Sequence, residues 1–272
     1  MKAARFDYAR ANSLGHAVEL IGGGDGFVKL LAGGQTLGPM LNLRLVQPDL
    51  LVDVSKLDET RRWSEEGDAV LIGAGVTHAA IEDGAIPGPT GAVLAGIASG
   101  IAYRAVRNRG TIGGSLAHAD PAADWLSSLA ALGAEVVLVG PAGERRVKVA
   151  ELSKGAFATD IGDDEVLRAV AVPRLVKGAR WGYYKFCRKT GDFAEAIGAV
   201  LFDPERATLR LVIGATNGAP IVLDGEARGG IPETLDMAVL ERALDNHGFA
   251  DDAYGRAVHL VAARRALAEA RR

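Results

Sequence analysis

The chain has 272 residues, about the length of two average domains, which is enough to bury a substantial core. Its 31 Lys and Arg residues against 34 Asp and Glu residues give a net charge of −3, so it lacks the basic excess that nucleic-acid or anionic-membrane binding requires. Its single cysteine excludes a disulfide framework, a cysteine-based zinc site and an iron–sulfur cluster held by this chain alone. The N-terminal residues are charged and no run of 18 apolar residues occurs, so we expect a cytoplasmic protein without a signal peptide or membrane segment.

The first 175 residues alternate between strand-like and helix-like patterns, which predicts an α/β or α+β arrangement. In chain order, the predicted elements are a strand at 28–32, a helix around 37–45, strands at 50–54 and 69–72, a helix at 91–102, a loop at 107–120, an amphipathic helix at 121–132, and strands at 135–139 and 145–149. The pattern changes near residues 173–178, where we place a domain boundary. Strands are then predicted at 181–187, 194–202, 208–215 and 221–223, followed by a mostly helical tail at 234–272.

Two segments each contain a pair of adjacent glycines near a hydroxyl residue. The first comprises Ala32, Gly33, Gly34, Gln35 and Thr36, and the second comprises Thr111, Ile112, Gly113, Gly114 and Ser115. Paired glycines let backbone N–H groups approach a ligand with no Cβ in the way. Successive N–H donors that point into one concavity bind an anion, and a following helix N-terminus adds partial positive charge. The two segments together would suit a diphosphate, although a tight turn without a ligand is the commoner use of such a segment. The GxxxxGK[ST] pattern of a P-loop is absent, so a nucleotide hydrolase or kinase has no support.

A third glycine segment, residues 73–78 (GAGVTH), follows a predicted strand and is similar to the start of a dinucleotide-binding fingerprint. His78 stands where that fingerprint has Gly or Ala, and no clean second strand follows at the required distance. An NAD-type Rossmann fold is therefore only a minor alternative interpretation of this segment.

Taken together, three segments resemble the medium, FAD-binding subunit of the molybdenum hydroxylase family, which includes carbon monoxide dehydrogenase and xanthine dehydrogenase-like enzymes. They are residues 32–36 with Pro39 and Arg44, residues 73–78, and the long and very specific segment 107–124 (RNRGTIGGSLAHADPAAD). Lys185 and residues 188–194 (RKTGDFA) are similar to the family's C-terminal flavoprotein domain, so the resemblance spans essentially the whole chain. It implies an α+β protein, with a PCMH-type FAD-binding domain of two α/β subdomains in residues 1–175 and a smaller α+β domain in residues 176–272.

The resemblance also implies which residues contact FAD, and it requires no catalytic base, nucleophile or metal site in this chain. The two glycine segments would lie on the pyrophosphate, with Leu37 beside them, and Asp124 would contact the adenosine end. Ile101 and Leu167 would lie near the isoalloxazine or the adenine. Lys185 would lie near the flavin ring, where a cation stabilises the reduced flavin. Asp124 as an ordinary first-turn helix acid and Lys185 as an exposed strand lysine remain the simpler alternatives.

Charged and polar side chains near these motifs have simpler interpretations as well. His78 and His118 have no partner at metal-ligand spacing, and His118 is expected to shape the flavin loop as a hydrogen-bond partner. Arg104, Arg107 and Arg109 form either a solvated face or a docking site for an acidic partner or the phosphates.

The function implied by the resemblance is that of an electron-transfer flavoprotein subunit. A large partner chain would carry molybdopterin, a small partner chain would carry two [2Fe–2S] clusters, and FAD on this chain would pass their electrons to an external acceptor. The single cysteine agrees with this division, and the implied assembly is a dimer of heterotrimers, without nucleic acid or membrane. The alternatives are a free-standing FAD-dependent oxidase or dehydrogenase, which would need an acid–base residue at the flavin, and a scaffold subunit without FAD.

Overall fold

The computed structural model describes residues 2–23, 26–227 and 230–272. The strands are β1 (Asp7–Arg10), β2 (Val28–Leu31), β3 (Leu50–Asp53), β4 (Trp63–Glu66), β5 (Ala69–Gly73), β6 (Glu135–Gly140), β7 (Gly143–Lys148), β8 (Ser153–Gly155), β9 (Ala158–Thr159), β10 (Val166–Pro173), β11 (Arg180–Phe186), β12 (Ala196–Asp203), β13 (Thr208–Gly214) and β14 (Ile221–Glu226). The helices are α1 (Leu14–Gly22), α2 (Leu37–Asn42), α3 (His78–Glu82), α4 (Gly88–Ser99), α5 (Arg104–Arg107), α6 (Ile112–His118), α7 (Asp124–Ala131), α8 (Val149–Leu152), α9 (Met237–Leu244) and α10 (Ala253–Ala270).

The N-terminal part of the chain forms a parallel sheet with the strand order β1-β3-β2. Helix α1 begins where the Ser13 side chain accepts a hydrogen bond from the His16 N–H, which satisfies one of the free donors of the first turn. The buried side chains of Leu14 and Ala17 pack on this sheet together with Val52. Because the strands are parallel, their carboxyl ends meet at one edge, and there β2 continues into the first glycine segment and α2.

The second sheet is antiparallel, with the order β4-β5-β10-β6-β7, and carries the main core together with α3, α4, α6 and α7. Trp125 of α7 is completely buried in that core. Strand β5, which precedes the 73–78 segment, pairs antiparallel with both β4 and β10. A Rossmann fingerprint requires a parallel βαβ unit, so the NAD-type alternative is wrong.

The C-terminal part is an antiparallel sheet in the order β11-β12-β13-β14, with α9 and α10 on one face and α7 on the other. Helix α10 crosses β11 and β12 at Gly182 and Gly198. A Cβ at Gly182 would lie 1.9 Å from the Ala266 carbonyl oxygen, and one at Gly198 would lie 2.5 Å from that of Ala262. Only glycine lets helix and sheet backbones approach this closely.

The structure confirms the α+β class and the predicted strands, with ends shifted by a few residues. The predicted loop at 107–120 is wrong over 112–118, where Thr111 caps α6 and so compensates for the low helix propensity of its two glycines. The helix predicted from 121 begins at Asp124 because Asp120 holds the preceding residues in a turn, accepting from the Ala122 and Ala123 N–H groups. The boundary predicted at 175/176 falls in the connection between β10 and β11.

Strand β10 is the central strand of the second sheet and was not among the predicted elements. Its partners β5 and β6 lie far from it in sequence, and a short apolar run alone does not distinguish a buried strand from a helix. Throughout the described ranges, no helix combines the length and the apolar character that crossing a membrane requires.

Candidate functional site

The turn after β2 presents a run of consecutive backbone N–H donors. Among the described residues, no acceptor pairs with the N–H groups of Gly33, Gly34, Gln35, Thr36 and Leu37. Gly34 has a φ of +71°, in the left-handed region that favours glycine. We call residues 33–37 the donor turn. Consecutive N–H groups in such a turn form a concave site for an anion such as a diphosphate.

The donor turn is held against the segment that leads into α6. A Cβ on Gly33 would lie 2.0 Å from the Arg109 carbonyl oxygen and 3.0 Å from the Gly110 Cα. The Arg109 Nε donates a hydrogen bond of 3.4 Å to the Gly33 carbonyl oxygen. The structure therefore places residues 109–110, which lead into the second glycine segment, against the donor turn, with the Arg109 guanidinium beside it.

The second glycine segment uses most of its donors within the protein. Gly113 N–H donates to the Ala74 carbonyl oxygen at 2.9 Å, and Gly114 N–H donates to Thr111 Oγ1 at 3.1 Å. Ile112 and Ser115 N–H groups are likewise paired, with the carbonyl oxygens of Val76 and Thr111. The close approach of Gly113 to Ala74 leaves no room for a Cβ, which would lie 2.4 Å from the Ala74 Cβ. These glycines therefore serve packing, and direct contact of residues 111–115 with a diphosphate stays a prediction.

The 73–78 segment holds residues 110–113 in place through backbone hydrogen bonds. Backbone hydrogen bonds join Gly113 to Ala74, Ile112 to Val76, and His78 N–H to the Gly110 carbonyl oxygen at 2.9 Å. The segment that resembled a dinucleotide fingerprint thus acts as a platform that orders residues 110–113.

His78 is a buried structural histidine in this platform. Its Nδ1 accepts a hydrogen bond of 3.0 Å from the Trp125 Nε1, so the ring is neutral with its proton on Nε2. Burial, and next the positive charge of Arg107, lower the pKa of His78 from 6.5 to about 4. In the described part of the chain, no group of three or more His, Cys, Asp or Glu side chains is arranged to hold a metal ion.

This histidine makes the stability of the chain sensitive to acid. The unfolded ring binds a proton near pH 6.5 and the folded ring only near pH 4, so the unfolded state holds more protons between those values. The stabilisation is fully present above pH 6.5 and decreases by about 3 kcal/mol as the pH falls to 4. Urea unfolding at pH 7, 5 and 4 should show this decrease, and a smaller one in His78→Gln. Parallel curves for the two proteins would contradict it.

Arg104 and Arg107 are engaged inside the chain. Arg104 forms ion pairs with Glu82 at 2.7 Å and Asp83 at 2.5 Å, and Arg107 also pairs with Glu82. Arg107 in addition donates to the carbonyl oxygens of residues 101 and 102, at 2.8 and 3.1 Å. The docking interpretation is therefore not supported for these two side chains, because acidic partners from α3 and its C-terminus already occupy them. Arg107 thereby fixes the turn that carries Ile101.

His118 shapes its turn by ring packing. Its ring lies 5.0 Å from that of Phe157, whose N–H donates to the Ala119 carbonyl oxygen at 3.0 Å. No hydrogen bond of the His118 side chain occurs in the residues that the structure describes. The expected hydrogen-bonding role is thus replaced by an aromatic contact.

A buried ion pair lies at the start of α7. Lys185 Nζ donates to Asp124 Oδ2 at 2.9 Å and to the Gly100 carbonyl oxygen at 3.2 Å, and the two side chains are 11% and 6% exposed. The Tyr183 hydroxyl donates to Asp124 Oδ1 at 2.7 Å. The residues that the resemblance assigns to opposite ends of the cofactor are therefore in contact, next to Ile101. Leu167 lies in β10 opposite Leu138, as part of the main core.

Tyr183 is the residue at this site that sequence reasoning missed. Residues 183 and 185 are two apart on one strand, and strand alternation places both side chains on the same face. That spacing could have predicted that Tyr183 lies beside Lys185. The contact of Tyr183 with Asp124 could not be predicted from a local pattern, because the two residues are 59 positions apart.

A turn of consecutive free backbone donors on an α+β scaffold is the arrangement expected of a protein that binds a diphosphate-containing cofactor. Residues 4–175 match the family described as the FAD binding domain in molybdopterin dehydrogenase. The chain belongs to this family and is an FAD-binding oxidoreductase. The donor turn agrees with that cofactor, since its unused N–H groups and the glycine at positive φ leave a cradle suited to a pyrophosphate.

Relatives extend the likeness to the whole chain. The carbon monoxide dehydrogenase medium chain of Hydrogenophaga pseudoflava is 39% identical over 241 residues, which cover 88% of this chain and 83% of that one. The nicotine 6-hydroxylase medium subunit of Paenarthrobacter nicotinovorans is 33% identical, with 99% of each chain covered. The solved structure of reconstituted carbon monoxide dehydrogenase from Oligotropha carboxidovorans superposes with a TM-score of 0.84 at 30% identity, covering 99% of both chains.

Proposed function

We propose that this chain is the FAD-binding electron-transfer subunit of a multi-subunit molybdenum hydroxylase. In that complex, electrons would pass from the [2Fe–2S] clusters of a partner subunit through FAD to an external acceptor. FAD supplies the needed chemistry because it accepts electrons singly and releases them in pairs. The observation that carries the proposal is the donor turn, a ready cradle for a pyrophosphate in a chain that matches medium subunits along nearly its full length.

The described contacts suggest how the chain divides the binding of FAD. The donor turn, with the adjoining Ala32 and the Arg109 guanidinium, would hold the pyrophosphate. The Lys185 ammonium and Ile101 would lie at the flavin ring. Asp124, predicted at the adenosine end, would instead act at the flavin ring, because it is paired with Lys185. The remaining residues that we propose at the FAD site are Leu167, which would contribute through packing, and residues 111–115, which would contribute a second glycine turn.

The partner subunits that we propose would carry the cofactors that this chain cannot hold. With one cysteine it cannot hold a [2Fe–2S] cluster, so we propose a small partner subunit with the clusters and a large one with molybdopterin. The names of relatives support a multi-subunit assembly, among them a 6-hydroxypseudooxynicotine dehydrogenase complex. A dimer of heterotrimers in the cytoplasm stays a prediction. Substrate hydroxylation would take place on the large partner.

The first test is the cofactor itself. The full chain is produced alone and together with the chains encoded beside it, and each preparation is examined by absorption and by acid release of its cofactor. We expect flavin bands at about 370 and 450 nm and released FAD. Preparations that contain no flavin in either case would contradict the proposal and favour the scaffold alternative.

Electron transfer is tested in the assembled complex. The complex is reduced anaerobically with dithionite and mixed with NAD+ or a soluble quinone, while the cluster and flavin bands are followed. Complex from which FAD has been removed should retain reduced clusters far longer than complete complex. Equal rates of cluster reoxidation would contradict a path through FAD.

A further inference from the structure

The side chains of β11 alternate between two different environments. Tyr183 and Lys185 point toward α7, where both contact Asp124. Tyr184, between them, points to the opposite face, where its ring packs 4.7 Å from the Arg265 guanidinium and its hydroxyl accepts a hydrogen bond from it. Two adjacent tyrosines thus differ in one respect that matters here: only Tyr183 faces the buried ion pair.

Asp124 is held through both of its carboxylate oxygens. Oδ1 accepts from the Tyr183 hydroxyl at 2.7 Å, and Oδ2 accepts from Lys185 Nζ at 2.9 Å. Burial, followed by the charge of Asp124, raises the pKa of Tyr183 well above its ordinary value, so the phenol keeps its proton and is the donor. A carboxylate bound at both oxygens cannot rotate without breaking a charge-assisted hydrogen bond.

Lys185 is anchored at two points for the same reason. One N–H of its ammonium is directed to Asp124 and another to the Gly100 carbonyl oxygen. The turn after Gly100 is itself held by Arg107, which donates to the next two carbonyl oxygens. The position of the ammonium therefore depends on Asp124 on one side and on a braced turn on the other.

We propose that Tyr183 is a positioning residue, which fixes Asp124 and through it sets the place and the effective charge of the Lys185 ammonium at the flavin ring. The inference rests on the proposed function, in which that ring lies beside Lys185. The hydrogen bond from Tyr183 draws negative charge of the carboxylate away from Lys185. Without it, the ammonium is more fully neutralised by Asp124, and a negatively charged reduced flavin is stabilised less.

The test compares Tyr183→Phe with Tyr184→Phe in the full chain assembled with its partner subunits. Each variant loses one hydroxyl from the same strand, but only the first loses a hydrogen bond to Asp124. We expect Tyr183→Phe to lower the midpoint potential of the bound flavin and to weaken FAD binding several-fold, because the Lys185 ammonium is then less well positioned. Tyr184→Phe should match the unchanged protein in both measurements.

A second variant gives the opposite sign, which a general loosening of the site would not produce. Asp124→Asn keeps the size of the side chain and an acceptor oxygen but removes the charge that opposes Lys185, so it should raise the flavin potential. A potential in Tyr183→Phe equal to that of the unchanged complex, or a shift shared with Tyr184→Phe, overturns the inference while flavin binding still supports the proposed function. Absence of flavin from the unchanged complex would overturn both.

Discussion

Replacing Gly33 by Ala should give a folded chain that has lost most of its FAD. The added Cβ would lie 2.0 Å from the Arg109 carbonyl oxygen and 2.7 Å from its carbonyl carbon, and both are backbone atoms that cannot turn aside. The donor turn must therefore move away from residues 109–110, which scatters the N–H groups that would hold the pyrophosphate. We expect FAD content to fall at least about tenfold, equivalent to one lost charge-assisted hydrogen bond.

Gly38→Ala is the matched control for this experiment. Gly38 lies in α2, four residues after Gly34, and no atom lies within 4 Å of an added Cβ. Alanine also favours a helix more than glycine does, so this variant should keep its FAD and its melting temperature. The measurements are FAD released per chain and thermal unfolding followed by circular dichroism. A normal FAD content in Gly33→Ala would contradict the assignment of the donor turn to the pyrophosphate.

Removing the ammonium of Lys185 should lower the stability of the chain strongly. In Lys185→Met the Asp124 carboxylate stays buried, at 6% exposure, with the Tyr183 hydroxyl as its remaining partner. An uncompensated buried charge costs about 3–5 kcal/mol, which in a chain of this size lowers the melting temperature by about 10 °C. The apolar part of the lysine side chain is retained by methionine, so lost packing contributes little.

An exposed lysine supplies the control, since Lys154 pairs with Asp160 at 3.2 Å with side chains 54% and 36% exposed. Lys154→Met should change the free energy of unfolding by less than about 1 kcal/mol. Adding Asp124→Asn to Lys185→Met removes the stranded charge and should recover part of the stability. If the double variant is no more stable than Lys185→Met, the loss does not arise from the unpaired carboxylate.

The two glycine-rich segments of the predicted site were identified from the sequence, but their arrangement was not. Residues 32–36 and 107–124 were selected on contiguous motifs, and the structure does bring the two segments together at Gly33 and Arg109. The motif around Thr111 was expected to offer N–H donors of its own. The platform at residues 73–78 accepts the Ile112 and Gly113 donors instead, a competition between acceptors that no local pattern reveals.

The amino-acid sequence by itself determined the α+β class, the strands of the C-terminal sheet and membership of an FAD-binding family, because periodicity and contiguous motifs are local properties. Only the tertiary structure decided that β10 is central, which backbone donors stay free, and that Asp124 and Lys185, 61 residues apart, form one ion pair. Each of these features depends on contacts between residues that are distant in sequence. Burial makes those contacts important for stability, because a polar or charged group removed from water must be paired within the protein.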